Sequence, residues 1–257
     1  MEVSKKIIFI RDWISNYVNS MPIKAKSLVI GISGGIDSSV SSTLCAMTGL
    51  KTIVLTMPIR QNKNQNDLSL LQKNWLKKNF KNVEAHTVEL DKVFTNFENT
   101  VSNFKSEHGM ANSRARLRMT TLYQVAASNN GIVVGTGNKV EDFGVGFYTK
   151  YGDGGVDISP IADCSKTEVW ELGKELKISP EIINAKPTDG LWDDGRTDED
   201  QIGMTYDDLE KCMKQDEMGT IVTVKKDLHK LETYKKMRKQ NMHKMEPIPV
   251  CSMEKFR

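Results

Sequence analysis

The segment LVIGISGGIDSS, residues 28–39, decides the fold of this chain. Residues 28–32 form a short apolar run typical of a buried strand, and residues 38–47 have helical character. Between them, Gly34 and Gly35 let the backbone approach an oxyanion closely, and the unpaired N–H groups of a helix N-terminus point toward it. The sequence therefore predicts a strand, a tight turn and a helix that bind phosphate together.

Polar side chains of the same turn refine the expected ligand. Ser33, Ser38 and Ser39 add neutral hydroxyl donors for phosphate oxygens. Asp37 lies among them, and a carboxylate repels bound phosphate unless a divalent cation lies between the two. Asp37 therefore predicts Mg²⁺ at the phosphate site. The glycine-rich turn alone also fits a plain structural turn with a serine N-cap, so the longer string and its flanks carry the prediction.

The full string is neither the lysine-containing G-x-x-x-x-G-K-[ST] loop nor the dinucleotide motif G-x-G-x-x-G. Residues 33–38 resemble the pyrophosphate loop, SGGxDS, of the ATP pyrophosphatases, also called the PP-loop superfamily. The resemblance implies that the loop binds the β- and γ-phosphates of ATP while the α-phosphate is attacked. It also implies an α/β fold, a doubly wound and mostly parallel sheet flanked by helices, like that of the adenine nucleotide alpha hydrolases.

Bulk properties fit that fold. A chain of 257 residues with 39% hydrophobic residues can bury one α/β core, so we expect a single domain over residues 1–257. A net charge of +3 is too small to argue for a nucleic-acid partner. Cys45, Cys164, Cys212 and Cys251 form no C-x-x-C pair, which fits reduced thiols rather than a zinc site or a disulfide framework. With no apolar run of membrane-spanning length, a soluble cytoplasmic protein without a membrane partner is expected.

Hydrophobic periodicity along the rest of the chain alternates between helix and strand. Helices are predicted over residues 2–19, 67–79, 91–104, 111–128 and 220–242, and strands over residues 52–57, 83–88 and 131–135. The polar residues 60–66 follow a strand, so they are expected as a loop at the carboxyl end of the sheet, beside the phosphate site. His86 lies in the third predicted strand, where we expect an edge or surface position rather than a ligand.

Three arginines lie near the start of the helix that is predicted from Ala111. Arg114 and Arg118 are four residues apart and share a face, whereas Arg116 projects roughly the other way. Cations in the first turn of a helix oppose its dipole, so an anion should compensate them. We expect substrate phosphate or carboxylate in that role, with a solvated basic face as the alternative.

A second functional segment follows the last predicted strand. Residues 136–155 form a polar, glycine-rich stretch that brings carboxylates, lysines and aromatic residues together. A loop of about twenty residues after a buried strand is more often functional than incidental.

At this segment the chain resembles the ammonia-dependent NAD synthetases. The family string GTxxxxE is matched by residues 135–141, and GFxTKYGDGG by residues 146–155. Residues 112–119 match NxxARxRM, and residues 197–206 resemble TDExxLGxxY. Residues 187–192 resemble P[ST]ADLW, with Asp189-Gly190 in place of Ala-Asp.

The resemblance implies roles for individual residues. ATP would be bound by Ser33, Gly34, Gly35, Ser38, Ser39, Thr136, Lys166 and Thr188. Deamido-NAD would be bound by Arg116, Arg118, Phe147, Lys150 and Asp153, and Mg²⁺ would be held by Asp37 and Glu141. Asp37, Lys166 and Asp153 would take part in catalysis, Lys166 by offsetting charge as pyrophosphate leaves and Asp153 by accepting a proton from incoming ammonium.

The implied reaction is ATP-dependent amidation of deamido-NAD to NAD with ammonia, through an adenylated intermediate, releasing AMP and pyrophosphate. The chain has no length for the amidohydrolase domain of glutamine-using relatives, so ammonia is the expected nitrogen source, and a homodimer is expected. Two other interpretations stay open: another PP-loop adenylating enzyme, such as a tRNA-modifying one, or a nucleotide-binding sensor without catalytic activity.

Overall fold

A single parallel sheet forms the centre of the structure, a computed structural model that describes residues 2–104, 106–188, 190 and 196–254. Its four strands are β1 (Ser27–Gly31), β2 (Thr52–Thr56), β3 (Val83–Thr87) and β4 (Gly131–Val133), in the spatial order β3-β2-β1-β4. Every neighbouring pair is parallel. The chain moves outward from β1 to β3 and then returns to the other side of β1, so the strand order reverses between β1 and β4. Ligands of open α/β sheets bind at such a switch point.

Ten α-helices and one π-helical segment are found in the described part of the chain. They are α1 (Val3–Ser20), α2 (Ile36–Met47), α3 (Lys63–Asn79), α4 (Asp91–Thr100), α5 (Glu107–Ser128), the π-helical segment (Lys139–Val145), α6 (Lys166–Glu175), α7 (Pro180–Ile183), α8 (Asp198–Ile202), α9 (Tyr206–Glu217) and α10 (Lys225–Met245).

Both faces of the sheet are covered, because successive side chains of β1 point to opposite faces. Leu28 and Ile30 pack with α1, α2 and α6 in one apolar core, whereas Val29 packs with Phe94 of α4 and Ala126 of α5 in another. This arrangement confirms the expected doubly wound α/β fold. A third apolar cluster joins the π-helical segment to α8, α9 and α10.

Two helices begin four residues earlier than predicted because polar caps start them. The side chain of Asn62 accepts a hydrogen bond from the backbone N–H of Asn64, and α3 therefore begins within the polar run predicted as a loop. Ser106 caps α5 in the same way, 3.1 Å from the backbone nitrogen of Gly109. The prediction that the α5 arginines lie in a first turn is therefore wrong, since Glu107 occupies that turn.

The exposure of His86 and of the cysteines can be compared with the sequence predictions. His86 is exposed on β3, an edge strand, as expected. The four cysteines are free, and burial raises the pKa of Cys45 to about 12, which makes it an inert core thiol. Among the described helices, none combines the length and apolar character that a membrane span requires.

The two faces of α1 generate a stability prediction. Ile14 is fully buried against the core, whereas Phe9 on the same helix is 66% exposed. Ile14→Ala should lower the free energy of unfolding by about 2–5 kcal/mol, because it removes buried methyl groups and leaves a cavity. Phe9→Ala is the matched control and should change it by less than about 1 kcal/mol, as measured by urea denaturation of both variants. An equal loss in Phe9→Ala would mean that the outer face of α1 is covered in solution.

Candidate functional site

The turn between β1 and α2 has the geometry that the sequence predicts. Gly34 has a φ of +92°, and a Cβ there would lie 2.8 Å from the backbone oxygen of Gln65, so glycine is required. Gly35 precedes α2 as its N-cap. The hydroxyls of Ser38 and Ser39 donate to the backbone oxygen of Gly35 at 3.0 and 2.9 Å. The turn is therefore held in shape by its own residues, with the N-terminus of α2 open to an anion.

Two carboxylates and one lysine meet beside this turn. Asp37 comes from α2, Glu141 from the π-helical segment and Lys166 from the first position of α6. The Lys166 ammonium, 1% exposed, donates to Asp37 Oδ2 at 2.7 Å and to Glu141 Oε1 at 2.8 Å. A cation in the first turn of a helix opposes the helix dipole, and at Lys166 the two carboxylates offset this effect.

Burial and mutual contact set the charge states of this cluster. Burial alone would lower the pKa of Lys166, but Asp37 and Glu141 more than offset it, so the pKa is raised and the ammonium stays charged. Burial also opposes ionisation of Glu141, yet Lys166 holds the pKa of that carboxyl below its usual value. The cluster is thus an ion triad with a buried ammonium and two carboxylates that are 19% and 15% exposed, and removal of the ammonium would leave both carboxylates without a compensating charge.

Three further polar residues that sequence reasoning missed surround the triad. Asn138, fully buried, donates to Asp37 Oδ1 at 3.1 Å and accepts from the backbone N–H of Glu141. The Tyr206 hydroxyl donates to Glu141 Oε1 at 2.5 Å, and its ring lies 4.8 Å from the Lys166 nitrogen. Asp142 is the third of these residues, and burial, reinforced by nearby negative charges, raises its pKa. Asn138 and Tyr206 lie within the motifs quoted above, which was the available signal.

The loop of residues 146–155, which follows the π-helical segment, lies across the site from the turn between β1 and α2. Asp153 accepts a hydrogen bond from the backbone N–H of Thr149 at 3.0 Å, so its carboxylate helps to fold the loop. Thr149 in turn donates to Asn112 Oδ1 of α5 at 2.6 Å. Arg116, also on α5, donates to the backbone oxygen of Lys150 at 3.3 Å. Helix α5 thus supports this loop directly.

Arg118 takes a different direction from Arg116. Its guanidinium donates to the backbone oxygen of Met57 at 3.0 Å and to Gln61 Oε1 at 2.9 Å. Burial, together with the charge of Arg114, lowers the pKa of Arg118 to about 10. Arg118 therefore faces the segment that follows β2, where a backbone carbonyl and an amide oxygen accept its hydrogen bonds.

One cavity of about 760 Å³ lies between the β1–α2 turn and the loop of residues 146–155. It brings together nearly all of the predicted site residues: Ser33, Gly34, Gly35, Asp37, Ser38, Arg116, Arg118, Thr136, Glu141, Phe147, Lys150, Asp153, Lys166 and Thr188. Ser39 is fully buried behind the turn and does not line the cavity. Thr188 accepts a hydrogen bond from the backbone N–H of Gly190, whereas Asp189, Leu191 and Trp192 of the predicted P[ST]ADLW element lie outside the described residues.

Comparisons with known proteins agree with this geometry. The sequence matches the family described as NAD synthase over residues 6–248. The NH(3)-dependent NAD(+) synthetase of Finegoldia magna is 37% identical over 230 residues, 89% of this chain and 90% of the relative. The solved NMN synthetase of Francisella tularensis has a TM-score of 0.86 and 32% identity, covering 98% of this chain and 100% of that chain. The NH3-dependent NAD synthetase of Campylobacter jejuni has a TM-score of 0.79 and 25% identity over the same shares.

The ion triad generates a second stability prediction. Lys166→Met keeps the length of the side chain but leaves Asp37 and Glu141 buried without a cation. We expect the free energy of unfolding, measured in urea without added metal, to fall by about 3–5 kcal/mol. Adding Glu141→Gln to this variant should recover part of the loss, since it removes the repulsion between the two carboxylates. Wild-type stability in Lys166→Met would refute the pairing.

Proposed function

This chain belongs to the NAD synthase family, and from that premise we propose that it is an enzyme that forms NAD from deamido-NAD, ammonia and ATP. AMP and pyrophosphate are the other products. One observation supports the proposal above all. The phosphate-binding turn and the loop of residues 146–155 face each other across one cavity, with Lys166 beside the turn.

The residues of the turn account for ATP binding. The N-terminus of α2, with Ser33, Gly34 and Ser38, would bind the phosphates that leave as pyrophosphate. Gly35 also lines the cavity, and Ser39, which does not, stabilises the turn by donating to the Gly35 backbone oxygen. Thr136 and Thr188 line the cavity on either side and would complete the contacts to ATP.

Asp37 and Glu141 fit a divalent cation. One ammonium already contacts an oxygen of each carboxylate, so a single cation can reach both. No group of three or more acidic, histidine or cysteine side chains suited to a metal is found among the described residues. Two carboxylates with phosphate oxygens and water match the ligands that Mg²⁺ takes in nucleotide sites. When bound, Mg²⁺ would neutralise the charge on the pyrophosphate leaving group.

The reaction consists of two displacements. An oxygen of the nicotinate carboxylate attacks the α-phosphorus of ATP, the bond to pyrophosphate breaks, and a mixed anhydride with AMP forms. Ammonia then donates its electron pair to the acyl carbon, the bond to AMP breaks, and one proton is lost. Lys166 would stabilise the developing phosphate charge, and Asp153 would accept the proton.

The second loop would hold the nicotinate half of the substrate. Phe147 lines the cavity and offers an aromatic face to the pyridinium ring. Arg116 and Lys150 supply positive charge for the anionic groups of deamido-NAD, and Arg118 lines the same cavity from the side of β2.

We propose that the protein acts as a homodimer. The apolar stripe of α1 packs in the chain's own core, where Ile7 and Ile10 are buried with Ile14. The outer face of the same helix exposes Phe9 and Trp13, and this second apolar face supports the proposal.

A second candidate substrate is favoured by the likeness to the Francisella tularensis NMN synthetase, which spans nearly the whole chain. Amidation that yields NMN starts from nicotinic acid mononucleotide. This acid has the same reacting carboxylate as deamido-NAD but lacks the adenylate half. The two displacements are the same for both substrates, so only a direct comparison separates them.

The first experiment measures pyrophosphate release with ATP, Mg²⁺ and ammonium, and compares deamido-NAD with nicotinic acid mononucleotide. Release that requires deamido-NAD and yields NAD is expected, and Asp37→Ala should abolish it. Release with the mononucleotide alone would assign the second substrate. No release with either acid would favour a sensor, and release indifferent to both would favour another adenylating enzyme.

Metal dependence provides a separate prediction. Glu141→Gln should raise the Mg²⁺ concentration needed for half-maximal activity by about tenfold or more, because a neutral amide is a weaker ligand for a hard cation. Asp163→Asn, in a nearby carboxylate whose side chain is 97% exposed, is the matched control and should leave the requirement unchanged. Equal requirements in wild type and Glu141→Gln would remove Glu141 from the metal site.

A further inference from the structure

Two side chains outside the cavity each hold one of the carboxylates that line it. Asp37 and Glu141 line the cavity, whereas Asn138 and Tyr206 do not. Asn138 is fully buried, and Tyr206 is 2% exposed. Neither side chain is placed to contact a nucleotide in the cavity. Each can act on a bound ligand only through the carboxylate that it holds.

Asn138 connects the two carboxylates through a single amide group. Its Nδ2 donates to Asp37 Oδ1 at 3.1 Å. Its Oδ1 accepts hydrogen bonds from the backbone N–H groups of Val140 and Glu141, both at 3.1 Å, and so caps the π-helical segment. One planar side chain therefore fixes the Asp37 carboxylate relative to the backbone that carries Glu141.

The bond from Asn138 reaches the Asp37 oxygen that Lys166 does not use. Lys166 donates to the other oxygen, Oδ2, at 2.7 Å. With one donor on each oxygen, the carboxylate cannot rotate about its last single bond without losing a hydrogen bond. Asn138 thus keeps Oδ2 directed at the position that a cation shared with Glu141 has to occupy.

Tyr206 holds the second carboxylate in an equivalent way. Its hydroxyl donates to Glu141 Oε1 at 2.5 Å and lies farther, 3.3 Å, from Asp198 Oδ2. Its ring contacts the Trp170 ring edge-on, with centroids 5.7 Å apart, within the apolar cluster that joins the π-helical segment to α8, α9 and α10. Glu141 is therefore oriented by a side chain that is itself fixed by packing.

Side chains that hold metal ligands in place contribute to metal affinity without touching the metal. Loss of such a partner typically weakens metal binding by about 10–100-fold. Mg²⁺ is especially sensitive because it requires nearly octahedral ligand geometry, and a carboxylate that rotates freely has to be ordered when the ion binds. Asn138 and Tyr206 hold both carboxylates of the candidate metal site in this way.

We propose that Asn138 and Tyr206 are positioning residues for the divalent cation that Asp37 and Glu141 would hold. Asn138 fixes the two carboxylates relative to each other, and Tyr206 fixes the orientation of Glu141. The proposal rests on the metal role given to these carboxylates in the proposed function, and it specifies which residues adapt them to the metal without contact to a substrate.

The test measures Mn²⁺ binding by electron paramagnetic resonance. The protein is saturated with an ATP analogue in which a methylene group replaces the oxygen between the α- and β-phosphorus, so that no pyrophosphate can leave. Tyr206→Phe removes only the hydroxyl and should raise the dissociation constant of Mn²⁺ about tenfold. Tyr234→Phe, at a tyrosine of the same apolar cluster that is 1% exposed, is the matched control and should match wild type.

Asn138→Ser separates positioning from helix capping. Serine caps helices about as well as asparagine, but its side chain is too short to bond to Asp37 as well. Mn²⁺ should therefore bind about tenfold more weakly, while the midpoint of urea unfolding falls less than in Asn138→Ala, which loses the cap too. Wild-type Mn²⁺ affinity in Asn138→Ser would reduce Asn138 to a cap and overturn its positioning role.

Calorimetry of the same analogue in EDTA separates positioning from direct contact. Without metal, its affinity in Tyr206→Phe and Asn138→Ser should match wild type, because neither residue is placed to touch the nucleotide. An equal loss of affinity with and without metal would overturn the proposal, as would wild-type Mn²⁺ affinity in both variants. Wild type that binds no Mn²⁺ would refute the metal site and the proposal together. Wild type that binds Mn²⁺ but releases no pyrophosphate with either nicotinate substrate would refute only the proposed function.

Discussion

The compensation of two buried carboxylates by one ammonium is the interaction on which the site depends. Asp37, Glu141 and Lys166 come from three different helical segments, and each would be costly to bury alone. Their contact therefore requires α2, the π-helical segment and α6 to meet correctly. Asn138 and Tyr206 strengthen that requirement, because each holds one of the carboxylates through a hydrogen bond. These charged contacts thus fix the relative positions of α2, the π-helical segment and α6 more precisely than apolar packing alone would.

The parallel sheet explains why these elements can meet at all. Neighbouring strands β1 and β4 point the same way, so the segments that follow them leave the sheet at one edge. The segment after β1 becomes the phosphate-binding turn, and the segment after β4 becomes the π-helical segment and its loop. The second of these walls, the loop of residues 146–155, is supported from outside the sheet by α5 through Arg116 and by α10 through Lys244. In each wall, hydroxyls or carbonyls are already hydrogen-bonded within the protein.

Local signals in the sequence predicted the fold and the phosphate-binding turn, whereas most other site residues were predicted from the family resemblance. The apolar run before residues 33–39 predicted β1, the turn and α2, because strand, glycine turn and helix start are all encoded by neighbours in sequence. The early starts of α3 and α5 were missed because Asn62 and Ser106 cap helices whose first turns are polar. Contacts between distant segments were beyond such reasoning. Nothing local to Lys166 indicates a bond to Asp37, 129 residues away, and nothing in α10 indicates the loop that it supports.

The same two carboxylates are required by two different cations. In the structure their oxygens bond to Lys166, and in the proposed reaction they hold Mg²⁺. Mg²⁺ held by these carboxylates would compete with Lys166 for their oxygens, because an ammonium and a divalent ion at one site repel each other. The side chain is confined by the Tyr206 ring on one side, while the cavity that contains the phosphate-binding turn is open to it. An ammonium released from a carboxylate would still lie beside the phosphate-binding turn, where its positive charge would favour the departure of pyrophosphate.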